Sequence, residues 1–230
     1  MTAANRTETS MPGRRPHLSC LLAAALAAAS FAVAAQDASP NLELLAALRT
    51  GDAAAAARAL QRGATPNARN RLGETTLVIA LKAGRPDLAQ QMLDAGVDVN
   101  LAAVNGTTPL MAAAYGGNAE IVRTLLAKGA AVDPVDRLQK SAMVYAAGQG
   151  STEVVRLLLG AGVDPNATYA HSLTALMWAA GYGQTATVDA LLKAGARPEL
   201  RDDRGKSALD IARDGNFNET VRLLEAAAKT

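Results

Sequence analysis

Glycine recurs every 33 residues along most of this chain. Gly51, Gly84, Gly117, Gly150 and Gly183 form one series, and Gly63, Gly96, Gly129, Gly162 and Gly195 form a second. Asn67, Asn100, Asp133 and Asn166 keep the same step. So do Leu44, Leu77, Leu110, Met143, Leu176 and Leu209, and likewise Ala47, Ala80, Ala113, Ala146, Ala179 and Ala212. Independent series sharing one period do not arise by chance. A period of this length means an array of stacked small units, not a globule around one centre. The composition agrees: half the residues are hydrophobic but only 3% are aromatic. A core built without rings comes from Ala, Leu, Val and Met, which suits close-packed helices better than a β-sandwich.

Residues 104–136 show how one unit reads locally. Thr107-Thr108-Pro109 starts a helix, with threonine as cap and proline at an early helical position. Leu110 to Tyr115 continue it with mostly small residues, and Gly116-Gly117 end it. Asn118 then caps a second helix carrying Ile121, Val122, Leu125 and Leu126, a spacing that makes one apolar stripe. Gly129 ends that helix, and Ala130 to Asp136 lead through an extended turn to the next unit. One such unit cannot bury its stripe, but stacked neighbours can. The alanine series has a packing reason: a small side chain lets the first helices of adjacent units approach closely. A larger residue at Ala146 or Ala179 would overpack the stack, at about 1–3 kcal/mol.

The period, the run Gly106-Thr107-Thr108-Pro109-Leu110-Met111-Ala112-Ala113 and the run Leu125-Leu126-Ala127-Lys128-Gly129-Ala130 resemble the ankyrin repeat. Val154 to Asn166 and Asp202 to Ala212 are similar to it as well. The resemblance covers nearly all of residues 38–230, about six repeats. It implies an all-α solenoid of helix-turn-helix units with hairpin-like loops: a capping repeat at 38–70, repeats two to five at 71–103, 104–136, 137–169 and 170–202, and a capping repeat at 203–230. One departure concerns the family's Thr-Pro-Leu-His box. The histidine position holds Val78, Met111, Val144, Met177 and Asp210, which implies a greasier joint between loops and not a different fold. The ends read as caps. The first repeat lacks the Thr-Pro box. The last puts Arg213 where Ala147 and Ala180 stand and Glu225 where Leu126, Leu159 and Leu192 stand. Polar residues there mean that no seventh repeat stacks, so the array is expected to be complete, without a separate catalytic domain.

The resemblance implies a concave surface of first helices and loop tips that binds another protein. The scarce aromatics gather there. Tyr145 and Trp178 share the repeat position of Ala112 and Ile79, which in the family faces the groove. Tyr115 and Tyr182 end first helices in repeats three and five, and Tyr169 and His171 sit in the loop before the fifth repeat. Large rigid rings with polar edges favour interfaces. We expect Tyr115, Tyr145, Trp178 and Tyr182 at the centre of a protein-binding groove, with Tyr169 and His171 at its rim. The alternative for each ring is gap-filling between alanine-rich helices, and for Tyr169 and His171 plain solvation.

Other chemistry is thinly represented. The formal charge is +2, and its excess lies in residues 1–35, where Arg6, Arg14 and Arg15 face only Glu8. The remainder is balanced, unlike a general nucleic-acid binder. Beyond residue 35 there is no cysteine and one histidine, His171, so no thiolate metal site, disulfide or thiol nucleophile is available. No enzyme, cofactor or metal is expected. The alternative, a small-ligand binder or carboxylate-dependent enzyme in the groove, lacks paired acids on the first helices, Asp210 being the main exception. The sequon at Asn166 reads as structural, and the alternating charges from Arg197 to Lys206 read as a solvated loop.

Residues 12–17 are Pro-Gly-Arg-Arg-Pro-His, and Leu18 to Ala35 are uncharged and ala-leu rich, ending in small residues before Gln36-Asp37. A basic start, an apolar middle and a small-residue boundary form the pattern of a secretory signal peptide, here residues 1–35 with cleavage after Ala34 or Ala35. Met11 is an alternative start, and an uncleaved inner-membrane anchor is an alternative reading of the same run. Arg14-Arg15 is faintly similar to a twin-arginine signal. The expected product is a monomeric periplasmic protein with a protein partner, no nucleic acid and no stable membrane insertion. A secreted effector acting on another cell is the third reading. N-terminal sequencing of the mature protein is predicted to begin at Ala35 or Gln36; a soluble cytosolic protein that starts at Met1 or Met11 would refute the signal.

Overall fold

The computed structural model describes residues 39–228; the segment read as a signal peptide lies outside them. Among the described residues, twelve α-helices follow one another in six antiparallel pairs. The first helices are α1 (Pro40–Thr50), α3 (Thr76–Lys82), α5 (Pro109–Tyr115), α7 (Ala142–Gln149), α9 (Ala175–Gly181) and α11 (Ala208–Asp214). The second helices are α2 (Ala53–Gln61), α4 (Pro86–Asp94), α6 (Ala119–Ala127), α8 (Thr152–Gly160), α10 (Thr185–Lys193) and α12 (Asn218–Ala227). Each first helix packs on its own second helix and on the first helices of its neighbours, and the second helices form a parallel row behind. Among the described residues no strand forms; pairing is limited to the isolated bridges Arg69–Thr75 and Thr168–Thr174. The fold is the all-α solenoid that the repeats require.

The local signals work as the residue chemistry dictates. The side chains of Thr75, Thr108, Ser141, Thr174 and Ser207 each accept a hydrogen bond from the backbone N–H three residues on. Each thereby satisfies an orphan donor at the start of a first helix. Where the family has histidine, Val78, Met111, Val144 and Met177 are buried. The Met111 thioether takes the Thr108 N–H at 3.4 Å, and the Asp210 carboxylate takes that of Ser207 at 3.0 Å. Gly51, Gly84, Gly117, Gly150 and Gly183, at the ends of first helices, adopt the left-handed turn, with φ +67° at Gly117 and +72° at Gly150, while Asn216 takes it after the last first helix.

The core is a column running through the stack. Leu44, Leu77, Leu110, Met143 and Leu176 are all buried, and Ala47, Ala80, Ala113, Ala146, Ala179 and Ala212 stand beside them with at most 3% exposure. Leu209 at the last step is only partly buried. In the final pair, Arg213 and Glu225 meet in an ion pair at 2.6 Å. The leucines at the equivalent of Glu225, which are Leu126, Leu159 and Leu192, are partly buried against the core.

Asparagine fastens successive units. Asn67 accepts from Asp98 N–H, Asn100 from Ala131 N–H and Asn166 from Arg197 N–H, at 2.8–2.9 Å. Asn100 and Asn166 also donate to the carbonyls of Gly129 and Gly195 at 3.1 Å. The amide does this because it carries both a donor and an acceptor. Asp133 occupies the same position but cannot donate when ionised, and it makes no such bridge among the described residues. Asp133→Asn is therefore predicted to restore the fastener between repeats three and four and to stabilise the stack by about 1 kcal/mol. Urea unfolding checks this: an unchanged midpoint would show that the position does not bridge.

Candidate functional site

Four of the expected rings converge on the first-helix face of repeats three to five. Tyr145 on α7 and Trp178 on α9 occupy the same repeat position, while Tyr115 ends α5 and Tyr182 caps α9. Tyr115 meets Tyr145 edge to face, with centroids 5.8 Å apart and planes at 87°. Trp178 and Tyr182, one helical turn apart, stack with centroids at 6.1 Å and planes at 11°. Both are favoured aromatic geometries. Gly148 stands beside the stack. A Cβ there would lie 3.6 Å from the Tyr182 ring and 3.9 Å from that of Trp178. In repeat three the same position holds Tyr115.

A hairpin loop supplies the polar part. The Asp136 backbone N–H donates to Lys140 O, and one oxygen of the buried Asp136 carboxylate accepts from the N–H groups of Leu138 and Lys140. Its other oxygen accepts from the Tyr145 hydroxyl at 2.5 Å. Burial, then the hydrogen bond to the Asp136 carboxylate, pushes the Tyr145 phenol well above the ordinary tyrosine value. Lys140 leaves the same loop and places its ammonium 4.4 Å from the Trp178 ring centroid and 5.7 Å from that of Tyr145. A cation over two ring faces is held by their quadrupoles.

The four rings and Lys140, with Val144, Gly148, Gln149 and Gln184, line a groove of about 350 Å³. Gln184 closes one edge by donating to the Gly148 carbonyl at 3.3 Å. Tyr115 and Tyr182 are 58% and 57% exposed, while Tyr145 and Trp178 are half-buried. The Trp178 indole N–H is buried and finds no acceptor among the described residues. A tryptophan serving only as packing normally satisfies that group.

Tyr169 and His171 are not among the residues lining this groove. Tyr169 is half-buried with its hydroxyl against that of Ser141. Burial raises its phenol pKa, and the charges of Asp133 and Asp164 act in the same direction while the Ser141 contact opposes them. His171 belongs to the next loop junction. Its side chain is exposed, with Nδ1 3.7 Å from the Asp203 carboxylate, and its carbonyl accepts from Asp203 N–H. Ser172 donates to the same carboxylate. His171, Leu173, Asp202, Asp203 and Arg204 frame a separate recess.

Sequence reasoning missed Lys140 and Asp136. Their signal was the loop series itself. Asn70, Asp136 and Asp202 all brace a hairpin through N–H groups two and four residues on, which places the fourth residue at a fixed point beside the next first helix. Exposed Leu72 and Leu138, in two of these hairpins, and exposed Val104, in the loop of the repeat between them, were missed as well. Among the described residues, no group of His, Cys, Asp and Glu has the arrangement to hold a metal.

The Tyr145 bond predicts a pH dependence. Its folded pKa is raised, so its contribution is complete below the unfolded tyrosine value of about 10 and is lost as pH rises through the folded value. Urea-unfolding stability is predicted to fall above about pH 10, with a shallower slope in Tyr145→Phe. Tyr169 leaves a residual slope of the same sign. Identical slopes in both proteins would mean that the Tyr145–Asp136 bond does not form in solution.

The family model for ankyrin repeats in three copies matches residues 44–136, 83–169 and 143–229. No curated protein is found to match the sequence. Ankyrin repeats are general protein-interaction scaffolds, typically without enzymatic activity. Paired helices at a 33-residue step, braced hairpins between them and a match extending over residues 44–229 lead to one conclusion: this chain belongs to the ankyrin-repeat family.

Proposed function

We propose that the chain is an exported, non-enzymatic scaffold of the bacterial periplasm that grips a partner protein on the first-helix face of repeats three to five. One observation carries the reading. Rings from three successive repeats meet in a single groove, and its two outer members, Tyr115 and Tyr182, remain more than half exposed. Rings recruited only to fill gaps between helices would be covered. Exposed aromatics beside half-buried ones supply the rigid amphipathic area that anchors protein interfaces. Tyr169 supports the loop joint and His171 the neighbouring one, so neither is needed at the centre of the contact.

The cellular address rests on the N-terminal pattern of residues 1–35. Among the described residues, no helix is long and apolar enough to cross a membrane. A small-ligand or carboxylate-enzyme reading has less to stand on: α5, α7 and α9 carry no acid, and Asp136 is committed to its hairpin and to Tyr145.

Crosslinking in a periplasmic extract tests the reading with wild type beside Tyr182→Ala and Trp178→Ala. Hot-spot truncation costs more than about 2 kcal/mol, so a specific partner band is expected to weaken at least about thirtyfold in affinity. Tyr182→Ala should retain the wild-type circular dichroism and unfolding midpoint because its ring is mostly exposed. Unchanged partner binding in both folded variants would move the interface elsewhere.

A further inference from the structure

Resting on that reading of the groove, we infer its partner's chemistry: an extended polypeptide segment that carries a carboxylate beside a bulky apolar or aromatic side chain. The argument starts from Lys140. Its ammonium lies over the Trp178 and Tyr145 rings, and among the described residues no carboxylate forms an ion pair with it. Any chain that covers the rings also covers this charge. Burying an ammonium without a counter-charge is costly, and the two rings compensate for only part of the lost hydration. A partner that supplies an anion removes the penalty.

This chain does not supply one. The groove lining contains no Asp or Glu. The three first helices beneath it, α5, α7 and α9, contain none either. Asp136, the nearest acid in the loop, already accepts from two backbone N–H groups and the Tyr145 hydroxyl. Arg137, on the same hairpin, is an exposed cation that also lacks an ion pair among the described residues. On the other hairpins several cations do find an acid: Lys82 pairs with Glu74, Arg201 with Asp210, Arg204 with Asp202 and Lys206, the equivalent of Lys140, with Asp214, whereas exposed Arg71, the equivalent of Arg137, forms no ion pair among the described residues. Beside the exposed rings, the ammonium of Lys140 thus has no counter-charge from the described residues. The rings require an apolar anchor, and the buried Trp178 N–H is left without an acceptor. Single-stranded nucleic acid also combines planar groups with negative charge, but residues 36–230 hold acids and bases in equal number and offer no basic track.

The test uses the full mature chain and a display library of random peptides, read by fluorescence of Trp178, the sole tryptophan. Selected peptides are expected to place Asp or Glu next to Trp, Phe or Leu. Their affinity should fall at least about thirtyfold in Tyr182→Ala. It should fall about fivefold in Lys140→Gln, recover in Lys140→Arg and weaken with salt. Peptides that need Tyr182 but show no acid enrichment, or ignore Lys140→Gln, would overturn the inference and leave the groove in place. Peptides that ignore Tyr182 as well would overturn both. A single-stranded oligothymidylate that binds the groove more tightly than the selected peptides would overturn the assignment to polypeptide.

Discussion

A pair of short helices has one apolar stripe and nothing of its own to cover it. Everything else in this molecule follows from that deficit. Each pair is stable only against another pair, so contacts pass between neighbours and the core is a column of Leu, Met and Ala. The alanines set the spacing of that column. Because they keep the first helices close, groups from neighbouring repeats, such as the rings of Tyr115 and Tyr145 or Gly148 and the ring of Tyr182, fall within reach of one another.

That closeness turns a repeat position into a surface. Tyr145 and Trp178 lie side by side because the register places them there, and a single loop residue, Lys140, touches both. The hairpin that carries Lys140 is held by Asp136, which also fixes the Tyr145 hydroxyl. One buried carboxylate thus aligns a cation and a ring on separate segments. Preorganisation of this kind lowers the ordering cost of binding.

The stack was legible in the sequence because its determinants are local and periodic. Threonine and serine caps, glycine turns and the Leu and Ala series each act within a repeat or one step away. The four rings were legible for the same reason, since equivalent positions share a face. Lys140 was not, because its place depends on the hairpin that Asp136 organises and on rings from two helices. Tyr169 was assigned to the rim from proximity in sequence. Its hydroxyl instead faces Ser141, at the start of its own unit, with the charge of Asp133 nearby. Loop side chains follow contacts between units, and no periodicity encodes those.

Gly148 gives the groove a property beyond its present shape. A methyl group there would touch the Tyr182 and Trp178 rings at ordinary van der Waals distance, without collision. The equivalent site in the preceding repeat already holds a tyrosine. The depth of the cleft can therefore be retuned by one residue while the column behind it stays untouched, so one scaffold can present differently shaped clefts.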